Sequence, residues 1–224
     1  MHVTPTGGRV LPKQTVYLRK VAKGRKEHFT GHFVVGEPGD ERILDIESHT
    51  ELMVGLVLSA RRDVVALENQ VPFRWLADNG RPATHFFDFR ANLADGTRIA
   101  VMVKSAHRLK SERLRRELEA VARQVTPDFA DRVVVMTEKH LDRIEVHNAE
   151  IMHEMRESEP SVDAAARREI QALHGEISID RLQDAIGAGG QGFRAIVRLL
   201  RTGVLELAGP QRISPDAIVR RRTI

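Results

Sequence analysis

Three polar side chains between Ser48 and Lys104 have the types and spacing for phosphate chemistry: Glu51, Asp88 and Lys104. Phosphodiester hydrolysis needs a divalent cation held by oxygens, an activated water and positive charge near the scissile phosphate. Asp88 lies in the run His85-Phe86-Phe87-Asp88-Phe89. Strand alternation predicts Phe87 and Phe89 on one side and the carboxylate on the other, facing a cleft. There it suits Mg2+, with Mn2+ as an alternative. Lys104 lies 16 positions later, across a hairpin turned by Asp95-Gly96. An ammonium at that point can orient a water or stabilise charge developing on a phosphate. Glu51 can add a second carboxylate and Val103 a backbone carbonyl. Each residue also has a plainer reading: a cross-strand ion pair on an exposed face for Asp88 and Lys104, an ordinary helix-surface charge for Glu51.

The elements that must position these groups follow from periodicity. Ser48 to Leu58 reads as an amphipathic helix with Ser48 as its N-cap. Asp63 to Glu68 and Phe73 to Ala77 read as separate strands, the second turned by Asp78-Asn79-Gly80. Thr84 to Asn92 and Arg98 to Val103 should pair around Asp95-Gly96. Lys110 to Gln124 is a helix with Leu114, Leu118 and Val121 on one face. The run Arg132 to Thr137 suits a buried strand parallel to an earlier one. The predicted fold class is α/β, a mixed sheet flanked by helices.

Residues 138–160 read as a connecting helix closing at Glu159-Pro160. Helices are then expected from Ser161 to His174, Ser178 to Ile186 and Phe193 to Thr202. A hairpin follows around Ala208-Gly209-Pro210, pairing Gly203 to Leu207 with Gln211 to Ile213. Three helices and a hairpin make a winged-helix pattern, in which Arg194, Arg198 and Arg201 share one flank of the third helix, where DNA would be met. Protein contact alone is the competing role for such a module.

Taken in this order, with Gln70-Val71-Pro72 between them, the motifs resemble the PD-(D/E)XK phosphodiesterases, and in particular the catalytic domain of TnsA-like transposon endonucleases. The resemblance runs from about Gly31 to Asn148. It implies a restriction-endonuclease-like domain over 31–148, preceded by a basic arm (1–30) and followed by a linker (149–160) and a winged-helix domain (161–224). It further implies that Glu51, Asp88 and Lys104 are catalytic, that Glu51, Asp88 and Val103 hold the metal, and that the chain cuts one strand at transposon ends. The implied partners are double-stranded transposon-end DNA, a transposase subunit of the retroviral-integrase-like class and an ATPase regulator. One position departs from the pattern. The family places Glu or Gln where this chain has Met102, and a thioether is a poor ligand for Mg2+. Glu68 or Glu47 could replace it, the ion could be held more weakly by Asp88 and Val103, or cleavage could be lost and only DNA binding and assembly kept.

Composition bounds these readings. The 224 residues carry 42% hydrophobic and 29% charged side chains, as an ordinary globular protein does. Cysteine is absent, which rules out disulfides and thiolate metal sites. No apolar run reaches the roughly 18 residues of a membrane span and no signal-peptide core opens the chain, so a cytoplasmic location without membrane association is expected. Net charge is only +4, but it is uneven: Lys104 to Arg116 holds six basic residues against Glu112 alone. Arg108, Lys110, Arg113, Arg115 and Arg116 are therefore expected to follow a DNA backbone. Seven other histidines (His28, His32, His49, His107, His140, His147 and His153) lack paired metal spacing, and only His85 is expected near the site. A transcription regulator with an α/β sensor domain is a further reading, though residues 48–104 resemble no ligand pocket.

Overall fold

The computed structural model describes residues 2–3, 9–14, 31–36 and 39–223, in two compact units, 1–141 and 142–224. Most of the basic arm expected over 1–30, including its β-like Val16-Tyr17-Leu18 run, lies outside the described residues.

In the first unit, β1 (His2–Val3) pairs with β2 (Arg9–Val10), and β3 (Lys13–Gln14), β4 (Gly31–Val35) and β5 (Arg42–Ile46) form a sheet in the order β3-β5-β4. Helix α1 (His49–Ala60) starts at Ser48, whose hydroxyl accepts the Glu51 N–H. The main sheet then runs β6 (Val64–Leu76), β7 (Pro82–Leu93), β8 (Arg98–Val103) and β9 (Arg132–Met136), in the order β6-β7-β8-β9. The first three strands are antiparallel, and β9 returns parallel to β8 after α2 (Glu112–Gln124). The sheet is thus mixed and flanked by helices. Gly96, at φ +88°, makes the β7–β8 turn that sequence reading placed there.

Two apolar layers hold the helices to the sheet. On one face α2 packs Leu118 and Val121 against Phe87, Ala100 and Met102. On the other, α1 comes so close that a Cβ at Gly55 would lie 2.6 Å from Phe33 Cζ and 2.9 Å from Phe89 Cζ.

Three expectations need correction here. The two strands read on either side of Gln70-Val71-Pro72 are one 13-residue strand, β6. It lies at the sheet edge, where a proline is tolerated because one side of the strand carries no ladder. The β9 run is parallel as expected, but it is the opposite edge and only partly buried. Phe87 and Phe89 do not share a face, because Phe87 joins the α2 layer and Phe89 lies against Gly55 of α1.

The second unit comprises α3 (Arg143–Glu154), α4 (Pro160–Gln171), β10 (Glu176–Ser178), α5 (Ile179–Ile186), α6 (Gly190–Arg201), β11 (Leu205–Leu207) and β12 (Ile218–Arg221). The connecting helix expected over 138–160 is therefore broken, with α3 and α4 on either side of residues 155–159. Ile170, Ile179, Leu182, Ile196, Leu205 and Val219 form its core. The expected hairpin also pairs differently. β11 joins β12, not residues 211–213, in a sheet of order β10-β12-β11. Gln211 instead clamps the sheet with its side chain: its amide donates to Ile218 O at 2.9 Å and accepts from Ile218 N at 3.1 Å. Asn148 of α3 does the same for the following loop, bonding Gln211 O and Ile213 N at 3.0 and 2.8 Å.

Candidate active site

Asp88 and Lys104 meet at the end of the main sheet. The Val103 N–H donates to Asp88 Oδ2 at 2.6 Å, and Lys104 Nζ reaches the same oxygen at 3.2 Å. The ammonium also donates to the Val103 carbonyl at 2.8 Å. This pair is no exposed-face ion pair, since the side chains are only 16% and 10% exposed. Asp88 Oδ1 makes no hydrogen bond among the described residues, which leaves one carboxylate oxygen available beside the ammonium.

The geometry that aims Asp88 comes from an interruption in the pleat. Asn69 and Phe89 are paired, as are Val71 and Phe87, so Gln70 lies opposite Asp88. Asn69 sends its amide to Asp45 O of β5, and Phe89 lies against α1. Val71 and Phe87 both join the α2 layer. Two residues apart on a regular strand would share a face. Both strands therefore change faces at the Gln70–Asp88 rung, and Gln70 absorbs the change at φ +48°, the only described non-glycine residue with positive φ.

Glu51 is brought to the same region by α1. It is 7% exposed, with Oε2 accepting from Glu47 N at 2.8 Å and Oε1 from the Ser48 hydroxyl at 3.1 Å. Burial above all, and then the Asp88 carboxylate, push its pKa up to about 7 against those hydrogen bonds. His85 senses the same charges: burial and the Lys104 ammonium hold its pKa below the ordinary value, opposed by Asp88. Glu51 is thus no ordinary surface charge, and Glu51, Asp88, Lys104 and His85 form one electrostatic neighbourhood.

Met102 is fully buried in the α2 layer with Phe87, Leu118 and Val121, so its position offers apolar packing and no oxygen. Glu68 does not replace it, because both its oxygens are taken by Arg90 at 2.7 and 3.1 Å. Among the described residues no three His, Asp or Glu side chains are grouped to hold a metal ion. A divalent cation here needs neutral oxygens beside the carboxylates. The donor chemistry fits that requirement: the Val103 carbonyl borders the pair, and Gln70, only 3% exposed, has its Oε1 buried without a partner. Sequence reasoning did not select Gln70 as a site residue. Its signal, a glutamine just before Val71-Pro72, carries no hint of a positive φ.

The basic residues divide by exposure. Arg108, Lys110, Arg113, Arg115 and Arg116 are all exposed, on the segment that follows Lys104 and on α2. Arg108, Lys110, Arg113 and His107 border a cleft of about 590 Å³. In the second unit Arg194 is exposed, but Arg198 is not available for DNA. It is 9% exposed and its guanidinium holds Asp163 Oδ1 at 2.8 and 2.6 Å and Met155 O at 3.3 Å. Arg201, half-buried, faces the His153 environment: burial first, then Arg156 and Arg201, lower the His153 pKa to about 4.

No family model matches the chain, and no curated protein matches it either. Among the described residues no helix is long and apolar enough to cross a membrane.

Proposed function

We propose that the chain is a DNA endonuclease subunit of a heteromeric transposase, cutting one strand at transposon ends with Mg2+. The observation carrying this reading is the Lys104 ammonium held against Asp88 and Val103, with Glu51 electrostatically coupled to Asp88. When bound, a divalent cation supplies Lewis-acid polarisation of the phosphate and a lowered pKa for a nearby water. Asp88 Oδ1 would hold such a cation, and Lys104 would stabilise negative charge building on the phosphate oxygens. In this reading Glu51, with a pKa near neutrality, takes the proton released by the attacking water. The restriction-endonuclease-like reading of the mixed sheet and the winged-helix reading of the second unit belong to this proposal. In it Arg108, Lys110, Arg113, Arg115 and Arg116 track the DNA backbone and Arg194 extends the contact from α6. The partners are transposon-end DNA, a transposase subunit of the retroviral-integrase-like class and an ATPase regulator.

The burial of Met102 favours a second reading, a subunit that binds DNA and assembles the complex without cutting. Incubating the full chain with its transposase partner and a supercoiled plasmid carrying transposon ends, in Mg2+ or Mn2+, separates the two. Open-circle product that disappears in Asp88→Asn and Lys104→Ala supports the nuclease. Binding of the ends with no nick in either metal supports the assembly subunit.

A further inference from the structure

Gln70 combines two costs that a folded chain seldom carries together. A non-glycine residue in the left-handed region crowds its Cβ against the backbone. A buried amide oxygen without a hydrogen bond has lost its water without replacement. Both fall on the rung opposite Asp88, where β6 and β7 change faces. Outliers of this kind persist where the surroundings fix them, commonly at sites that receive a ligand. The same rung adjoins the two oxygens best suited to a hard cation, Asp88 Oδ1 and the Val103 carbonyl. Two carboxylates cannot complete a cation shell alone here, and Met102 is committed to the core. Two described amide oxygens are buried here without a hydrogen bond, Gln70 Oε1 and Asn69 Oδ1, and the orphaned atom of His85 is a nitrogen. Asn69 is tied away from Asp88, since its amide nitrogen bonds Asp45 O of β5, which leaves Gln70 as the candidate oxygen opposite Asp88.

We propose that Gln70 Oε1 is a ligand for the divalent cation, supplying from β6 the neutral oxygen that position 102 lacks on β8. The inference rests on the nuclease reading, since it concerns the same cation beside Asp88. It gives the face switch a purpose: a regular β6 would leave residue 70 on one side of the sheet, with no turn of the backbone at Asp88. An amide oxygen is a hard neutral donor of the kind that Mg2+ and Mn2+ accept. The Lys104 ammonium, held between Asp88 and Val103, marks the place where positive charge is already favoured.

The test is Mn2+ binding to the full chain, by calorimetric titration and by loss of the free-ion paramagnetic resonance signal, with melting in EDTA as the folding control. Gln70→Gly removes the oxygen and relieves the φ of +48°. It should melt no lower than wild type in EDTA and bind Mn2+ about tenfold or more weakly. Gln70→Glu should bind it at least about tenfold more tightly. Wild-type affinity in both variants, with binding lost in Asp88→Asn, overturns the role of Gln70 alone. Weaker binding in Gln70→Glu also overturns it, because that is the result if the amide nitrogen donates to Asp88. Wild-type affinity in Asp88→Asn, or no Mn2+ binding by the wild type, overturns the nuclease reading and this inference together.

Discussion

At the residue scale, the two carboxylates of the site differ in environment. Asp88 accepts from the Val103 N–H and the Lys104 ammonium, whereas Glu51 is buried and, among the described residues, has no cation at hydrogen-bond distance. Its pKa of about 7, against an ordinary 4.5, means that the folded state binds this proton more tightly than the unfolded chain. The stability so gained is fully present below about pH 4.5 and is lost as pH rises through 7, a change of about 3 kcal/mol. Glu51→Gln keeps the shape without the titration. Melting curves from about pH 5 to 8 should therefore show wild type losing stability relative to the variant; parallel curves would count against a buried, coupled Glu51. Met102→Glu tests the other departure. A carboxylate placed among Phe87, Leu118 and Val121 should cost roughly 3 kcal/mol or more in EDTA. Recovery of that loss on adding Mg2+ would show that residue 102 can still reach the cation. The pairing of Asp88 with Lys104 was legible because Asp95-Gly96 fixes the hairpin register. Gln70 was not, since an irregular rung leaves no trace in a two-residue period. Arg198 was misread because one-flank spacing on a helix is the same for a buried arginine and an exposed one.

At the element scale, α1 delivers Glu51 only because Gly55, one helical turn further on, lets the helix settle on Phe33 and Phe89. Gly55→Ala should cost about 1–3 kcal/mol and lower cleavage further than the stability loss explains, because α1 must lift and carry Glu51 from Asp88. Thermal melts paired with single-turnover nicking rates check this. A variant with full activity would place Glu51 outside the chemistry. Most elements were legible from period and caps: Ser48 begins α1, Ser178 begins α5, α2 ends at Gln124 as its apolar face indicates, and β8 falls on Arg98–Val103. The continuity of β6 was hidden by Pro72, which breaks a central strand but not an edge strand. The β11–β12 pairing was hidden because Ala208-Gly209-Pro210 reads as a tight hairpin turn, while the Gln211 side chain does the bonding that a strand would do.

At the scale of the whole molecule, the candidate site lies in the unit 1–141 and a separate apolar core in the unit 142–224. The Arg198–Asp163 pair belongs to the stability of the second. Burial of Asp163 opposes its ionisation, but hydrogen bonds from Arg198 and Ser158 prevail and lower its pKa. Arg198→Ala should cost about 3 kcal/mol in that unit and leave the salt dependence of DNA binding unchanged, whereas Arg194→Ala should reduce the salt slope by about one ion. Equal salt-slope changes in both variants would contradict this division. The central claim is that the Asp88 end of the main sheet holds a divalent cation for phosphate cleavage. Anomalous diffraction from crystals of the full chain grown in Mn2+ tests it most directly. The account predicts a strong peak within coordination distance of Asp88, absent in Asp88→Asn crystals; a well-ordered site with no peak at saturating Mn2+ would contradict it.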